Sequence, residues 1–109
     1  MLTKLEDQIL MTVWKFKGDA YGVNVYKHLE KILDSKAAVG VVYFTLDRLT
    51  KRGFLQTYKG EPTAVRGGMR KKYYKITQKG IDELAKSKGV HDRIWEGYGD
   101  LATEWSSLR

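Results

Sequence analysis

The stretch "AVGVVYFTLDRLTKRGFLQTYK" (residues 38–59) decides the fold. Val39, Val42, Leu46 and Leu49 recur at spacings of three and four, which predicts a helix over residues 38–52 with this stripe turned inward. Gly53 supplies the stop. "FLQTYK" (54–59) then reads as a strand, and "RKKYYKI" (70–76) as a second one. Gly60, Pro62, Gly67 and Gly68 lie in the intervening ten residues, so the connection is a long hairpin loop rather than a tight turn.

On the N-terminal side, two further helices are expected. Residues 4–17 carry Leu5, Ile9, Val13 and Phe16 at helical spacing, widened by Leu10 and Trp14. Thr3 and Glu6 have the spacing of a capping box. "KGDAYG" turns the chain, Asp19 is a candidate cap, and residues 20–33 form the second helix with Val23, Tyr26, Leu29 and Leu33 inward. On the C-terminal side, Thr77 caps a fourth helix despite Gly80 near its start. Helix, helix, helix, strand, long loop, strand, helix is the order of a winged helix-turn-helix. The expected class is mainly α with a two-stranded wing. Residues 1–77 form the winged domain, and residues 78–109 form one long C-terminal helix, or one interrupted at Gly89.

Composition narrows the function classes. The 109 residues suit one compact domain. Cysteine is absent and there are two histidines, which argues against disulfides and a structural zinc site. The start "MLTKLEDQIL" lacks signal-peptide order, no apolar run approaches a membrane span, and the cytoplasm is the expected compartment. The net charge is +7, and its excess is local. Between Arg48 and Lys79 ten positive residues face only Glu61, whereas the chain before is balanced and the chain after is slightly acidic. Such a patch steers toward phosphate. With no nucleophile–base set, metal cluster or "GxxxxGK[ST]" loop, neither an enzyme nor a cofactor is implied.

The chain resembles the PadR family of bacterial transcriptional regulators. "AYGVNVYKHL" (20–29) is similar to that family's second helix, and "GVVYFTLDRLTKRGFL" (40–55) to its recognition helix and first wing strand. "GGMRKKYYKITQKGIDEL" (67–84) resembles the second wing strand and the start of the C-terminal helix. Two departures stand out. Ala37, Ala38 and Val39 precede Gly40 where the family often has serine, and Phe44 follows Tyr43 where it often has proline. The resemblance implies duplex DNA as partner and a homodimer, and repression of transcription is the expected consequence because bound protein can exclude polymerase. Dimer symmetry then implies a near-palindromic operator.

The residues offer candidates for each role. Ala37, Val41, Phe44 and Arg48 share one side of the third helix, bordered by Thr45. Val41, Phe44, Thr45 and Arg48 are expected to meet bases. Tyr43 resembles a family residue used against the DNA backbone. In the second wing strand, Ile76 anchors the inward face with Tyr74, leaving Lys71, Tyr73 and Lys75 outward. These three, with Arg66, Arg70 and Lys72, are expected at phosphates. Competing readings put Val41, Phe44 and Tyr43 in packing and leave the lysines merely solvated. An RNA-binding or protein-docking module remains the alternative function.

Ile94, Tyr98, Leu101, Trp105 and Leu108 repeat at four and three, the spacing of a short coiled coil, and are expected to hold the dimer. Some PadR-like proteins bind aromatic effectors between C-terminal tryptophans. That resemblance makes Trp14, Trp95 and Trp105 candidates for an aromatic small-molecule site, against plain interface packing.

Overall fold

A computed structural model describes residues 1–34, 38–62 and 70–108. Along the chain run α1 (Lys4–Phe16), β1 (Ala20–Tyr21), α2 (Gly22–Leu33), α3 (Val39–Lys51), β2 (Leu55–Pro62), β3 (Arg70–Ile76), α4 (Gln78–Ile94) and α5 (Leu101–Leu108). The strands form an antiparallel sheet in the order β1-β3-β2. The winged helix-turn-helix is therefore present, with one strand more than expected. Ala20 and Tyr21 pair with Tyr74 and Tyr73, so the start expected for the second helix is a sheet edge instead. Asn24 makes that corner: its side chain accepts the Tyr21 backbone N–H at 2.8 Å and donates to the Asp19 carbonyl at 2.8 Å. Asp19 contributes its carbonyl there, and Tyr21 occupies the cap position.

The core gathers one stripe from each element. Ile9, Leu10 and Val13 come from α1, Val25 and Leu29 from α2, and Val42, Leu46 and Leu49 from α3. Ala20, Phe54, Leu55 and Tyr74 close it from the sheet side. Each fully buried aliphatic side chain contributes about 1.5–3 kcal/mol by leaving water. On α2 Leu29 is inward and Tyr26 packs against the core as expected, Val25 joins them, and Val23 and Leu33 are exposed. Val39 on α3 is exposed too, because it lies in the first turn, beyond the neighbours that cover Val42.

Buried among these apolar groups is one carboxylate. Glu6 completes the capping box with Thr3, accepting the Thr3 backbone N–H at 2.8 Å while Thr3 Oγ1 accepts from Glu6 N at 3.2 Å. Its other oxygen accepts from Arg52 Nη1, at the end of α3, at 2.9 Å. A single side chain thus caps α1 and ties it to α3.

The C-terminal region departs from expectation. α4 passes through Gly89 and ends at Ile94 with Trp95 as its C-cap; the break falls at Gly97, whose φ of +86° lies in the left-handed region open to glycine. Asp100 Oδ1 then accepts the Thr103 backbone N–H at 3.0 Å and starts α5. No residue of α5 is buried. The stripe from Ile94 to Leu108 consequently spans two helices and a turn, and a continuous heptad is ruled out. Among the described residues no helix is long and apolar enough to cross a membrane.

Burial alone would raise the Glu6 pKa; the Thr3 backbone N–H and the Arg52 guanidinium outweigh it and hold the group below its ordinary value. A carboxylate depressed in the folded state contributes stability that is full above its unfolded pKa and is lost as pH falls through the folded one. Glu6→Gln is expected to cost roughly 1.5–3 kcal/mol near neutrality, the range for hydrogen bonds to charged groups. The gap from wild type should close below about pH 4. Urea unfolding across a pH series checks both, and a gap independent of pH would contradict the ion pair's role.

Candidate nucleic-acid interface

With Val42, Leu46 and Leu49 buried, the opposite side of α3 faces outward. Phe44 is 64% exposed and Val41 is 49% exposed. Arg48, one turn beyond Phe44, has a side chain 57% exposed, with Nε 3.8 Å from Glu6 Oε2. The expected face is present apart from one member. Thr45 is only 7% exposed, and its hydroxyl donates to the Val41 carbonyl at 2.7 Å. It lies three residues after Val42 and four before Leu49, on the buried stripe, so the base-contact expectation for Thr45 is withdrawn.

Tyr43 stands at the junction of α2 and α3. Its ring lies against Gly22, where an added Cβ would overlap it. The glycine after Tyr21 therefore permits the close approach that seats Tyr43 while leaving the residue partly exposed. Burial pushes the neighbouring Tyr74 hydroxyl above its ordinary pKa, with Asp47 and Tyr43 adding to the effect.

The wing continues from the same junction. Tyr21 pairs with Tyr73 and Tyr58 pairs with Tyr73 from the other side, so three tyrosines share the outer face of the sheet. Tyr58 stacks on Tyr73 with centroids 5.4 Å apart, and Tyr21 meets Tyr73 edge-on at 5.7 Å. The Tyr58 hydroxyl donates to the Gly18 carbonyl and holds β2 to the α1–β1 turn. Lys71 Nζ sits 4.1 Å from the centre of the Tyr21 ring, a cation–π contact. Lys75 is exposed on this outer face, and Tyr74 is buried on the inner one, as strand parity requires. Lys72 has Tyr74's parity but lies past the core's edge and is exposed. Tyr73 is half-buried by its two neighbours, which fixes its ring against the sheet.

The contacts join α3 to the wing at one point. Phe44 and Tyr43 lead through Gly22 and Tyr21 to Lys71 and Tyr73. Sequence reasoning missed the linking residue, Tyr21, because a two-residue strand leaves no periodicity. Ala37, Arg66, Gly67 and Gly68 lie outside the described residues, as does the side chain of Arg70.

A second surface lies on the far side of α1. A groove of about 920 Å³ runs between α1, α2 and α4, walled by Met11, Trp14, Leu29, Ile32, Leu33 and Leu84. His28 and His91 both reach it. Among the described residues no group of three or more His, Asp or Glu could hold a metal. Trp95 and Trp105 do not line this groove; Trp95 packs edge-on against Tyr98 at 5.8 Å.

The model of the transcriptional regulator PadR-like family matches residues 9–86. The chain belongs to that family. Its members are transcription regulators rather than enzymes. A PadR-like transcription factor from Bacteroides fragilis is 27% identical, with 84% of each chain covered and a TM-score of 0.70. A PadR family transcription regulator from Clostridium difficile is 25% identical over 84% of this chain and 90% of that one, at a TM-score of 0.67. Another PadR-like regulator, from Bacillus cereus, is 25% identical over 95% and 89%, also at 0.67. Among curated proteins none matches.

For this PadR-like chain the fit between Gly22 and Tyr43 is testable. Gly22→Ala is expected to cost about 1–3 kcal/mol, the range for overpacking. In a Tyr43→Ala background most of that cost should vanish, because the two groups compete for the same space. A double-mutant cycle by chemical denaturation measures the coupling, and additive losses would mean that the ring does not depend on Gly22.

Proposed function

We propose that the protein is a homodimeric repressor that binds duplex DNA sequence-specifically in the cytoplasm. The observation that carries this reading is the exposed Val41–Phe44–Arg48 face of α3, on a helix that meets the basic wing through Tyr43, Gly22 and Tyr21. In such folds the third helix enters the major groove and the wing reaches the adjoining backbone. Val41 and Phe44 are apolar groups suited to thymine methyls, and Arg48 is a donor suited to a guanine edge. Lys71, Lys72, Lys75, Tyr43 and Tyr73 suit phosphates, with Arg66 and Arg70 extending the same basic segment.

Dimerisation rests on two unpartnered apolar surfaces. Ile94, Tyr98, Leu101, Trp105 and Leu108 are all more than half exposed, and the α1–α2–α4 groove is open beside exposed Met11, Trp14 and Ile32. A short helix without a buried residue needs a partner to be stable. A second copy supplies both surfaces at once, and its symmetry implies a near-palindromic operator with half-sites about one helical turn apart. Such a dimer could also bring Trp105 of one copy toward the Trp14 groove of the other, the setting for an aromatic effector.

Selection from random-sequence duplexes, followed by footprinting, tests the reading. One enriched near-palindrome is expected, whereas no enrichment from the duplex pool, with binding only to RNA or single strands assayed beside it, would overturn it. On the enriched duplex Phe44→Ala should lose the sequence preference. Lys75→Ala should weaken enriched and random duplexes alike and lower the salt slope by about one. Sedimentation tests the assembly: wild type should be dimeric at micromolar concentration, and Leu101→Asp should be monomeric because a buried unpaired charge costs several kcal/mol. A monomeric wild type would contradict the dimer.

A further inference from the structure

We infer that Glu6, on the helix opposite the DNA-facing surface, is a positioning residue for sequence discrimination, acting through Arg48. The inference rests on the proposed DNA reading. Glu6 has a side chain only 4% exposed, and one oxygen, Oε2, faces two arginines, Arg48 on α3 and Arg52 at its C-cap. Arg52 is hydrogen-bonded: its Nη1 lies 2.9 Å from that oxygen, and its guanidinium lies over the Phe54 ring at 4.9 Å. Lys79, 2.8 Å from the Arg52 carbonyl, also reaches that ring. Arg48 is only tethered: its Nε is 3.8 Å from the carboxylate while more than half of its side chain stays in water.

This asymmetry has a consequence for recognition. An untethered arginine beside DNA takes the nearest phosphate, since the backbone offers charge everywhere and rewards any orientation. A carboxylate behind Arg48 offsets part of that attraction and holds the Nε edge back. The planar fork is thereby restrained, as bidentate pairing with a base edge requires. Glu6 accordingly lowers indiscriminate affinity while sharpening discrimination. A residue serving only as a strut between α1 and α3 would, when removed, weaken all DNA binding together.

The two roles predict different results for Glu6→Gln, which keeps an acceptor for the Thr3 N–H but removes the charge. Binding is measured to the duplex enriched with wild-type protein and to a shuffled duplex of the same composition, with thermal melting to confirm the folded state. Affinity for the shuffled duplex should hold or rise. Affinity for the enriched duplex should fall, so that their ratio drops about tenfold, within the range for loss of one base-specific pair. Arg48→Lys keeps the charge without the fork, leaves the Glu6 cap and its Arg52 pair intact, and should show the same split. In an Arg48→Ala background, Glu6→Gln should change the ratio no further. If wild type discriminates and both affinities fall together in Glu6→Gln, or the ratio is unchanged in Arg48→Lys, this inference is overturned and the DNA reading survives. If wild type itself does not discriminate, the DNA reading fails and takes the inference with it.

Discussion

The rotation of α3 about its own axis is the constraint on which the rest depends. Val42, Leu46 and Leu49 are fully buried where α1, α2 and the sheet converge. Turning the helix by one residue, about 100°, would expose part of this stripe at a cost of several kcal/mol and bury Arg48 or Phe44 instead. Apolar packing therefore decides which side chains remain outside. The Glu6–Arg52 pair adds a directional tie at one end of α3, and the Tyr43–Gly22 approach adds a steric one nearer the other. A helix held at its core face and near both ends presents a stable surface, as recognition of a fixed base sequence requires.

Much of this was legible in the sequence, for identifiable reasons. The third helix carries a strong period, so its inner stripe and its Phe44–Arg48 face follow from spacing. Strand parity placed Tyr74 inside and Lys75 outside. Thr45 was misassigned although the pattern held the answer: it falls between Val42 and Leu49 on the buried side. On α2 the expected Leu29 is in the core with Tyr26 packed against it, but packing against α1 and α3 takes in Val25 where the spacing equally allowed Val23. Leu33 then lies in the open groove. The pairing of Glu6 with a residue 46 positions away has no local signature; Glu6 is visible in sequence only as a cap.

The expected long C-terminal helix breaks after α4, at Gly97 and not at Gly89. Gly89 sits within regular helix, where a glycine costs about 1 kcal/mol relative to alanine and is tolerated. Gly97 takes a left-handed conformation, and with Gly99 and the Asp100 cap it redirects the chain into α5. Residues 91–103 are all exposed, so this arm projects from the winged domain rather than folding onto it. The arm leaves Tyr98, Leu101 and Trp105 exposed, and the α1–α2–α4 groove leaves Met11, Trp14 and Ile32 exposed; these are the two apolar surfaces on which the proposed dimer rests.

The central claim is that α3 and the wing act as one DNA-reading surface joined at Tyr21 and Tyr43. Backbone amide shift mapping by NMR, with the enriched duplex added stepwise to the isotope-labelled protein, tests it most directly. The account predicts the largest changes at Val41, Phe44 and Arg48 together with Tyr21, Lys71 and Lys75, and smaller ones along the α1–α2–α4 groove. Changes concentrated on the groove and α5, with the α3 and wing amides unmoved, would contradict it.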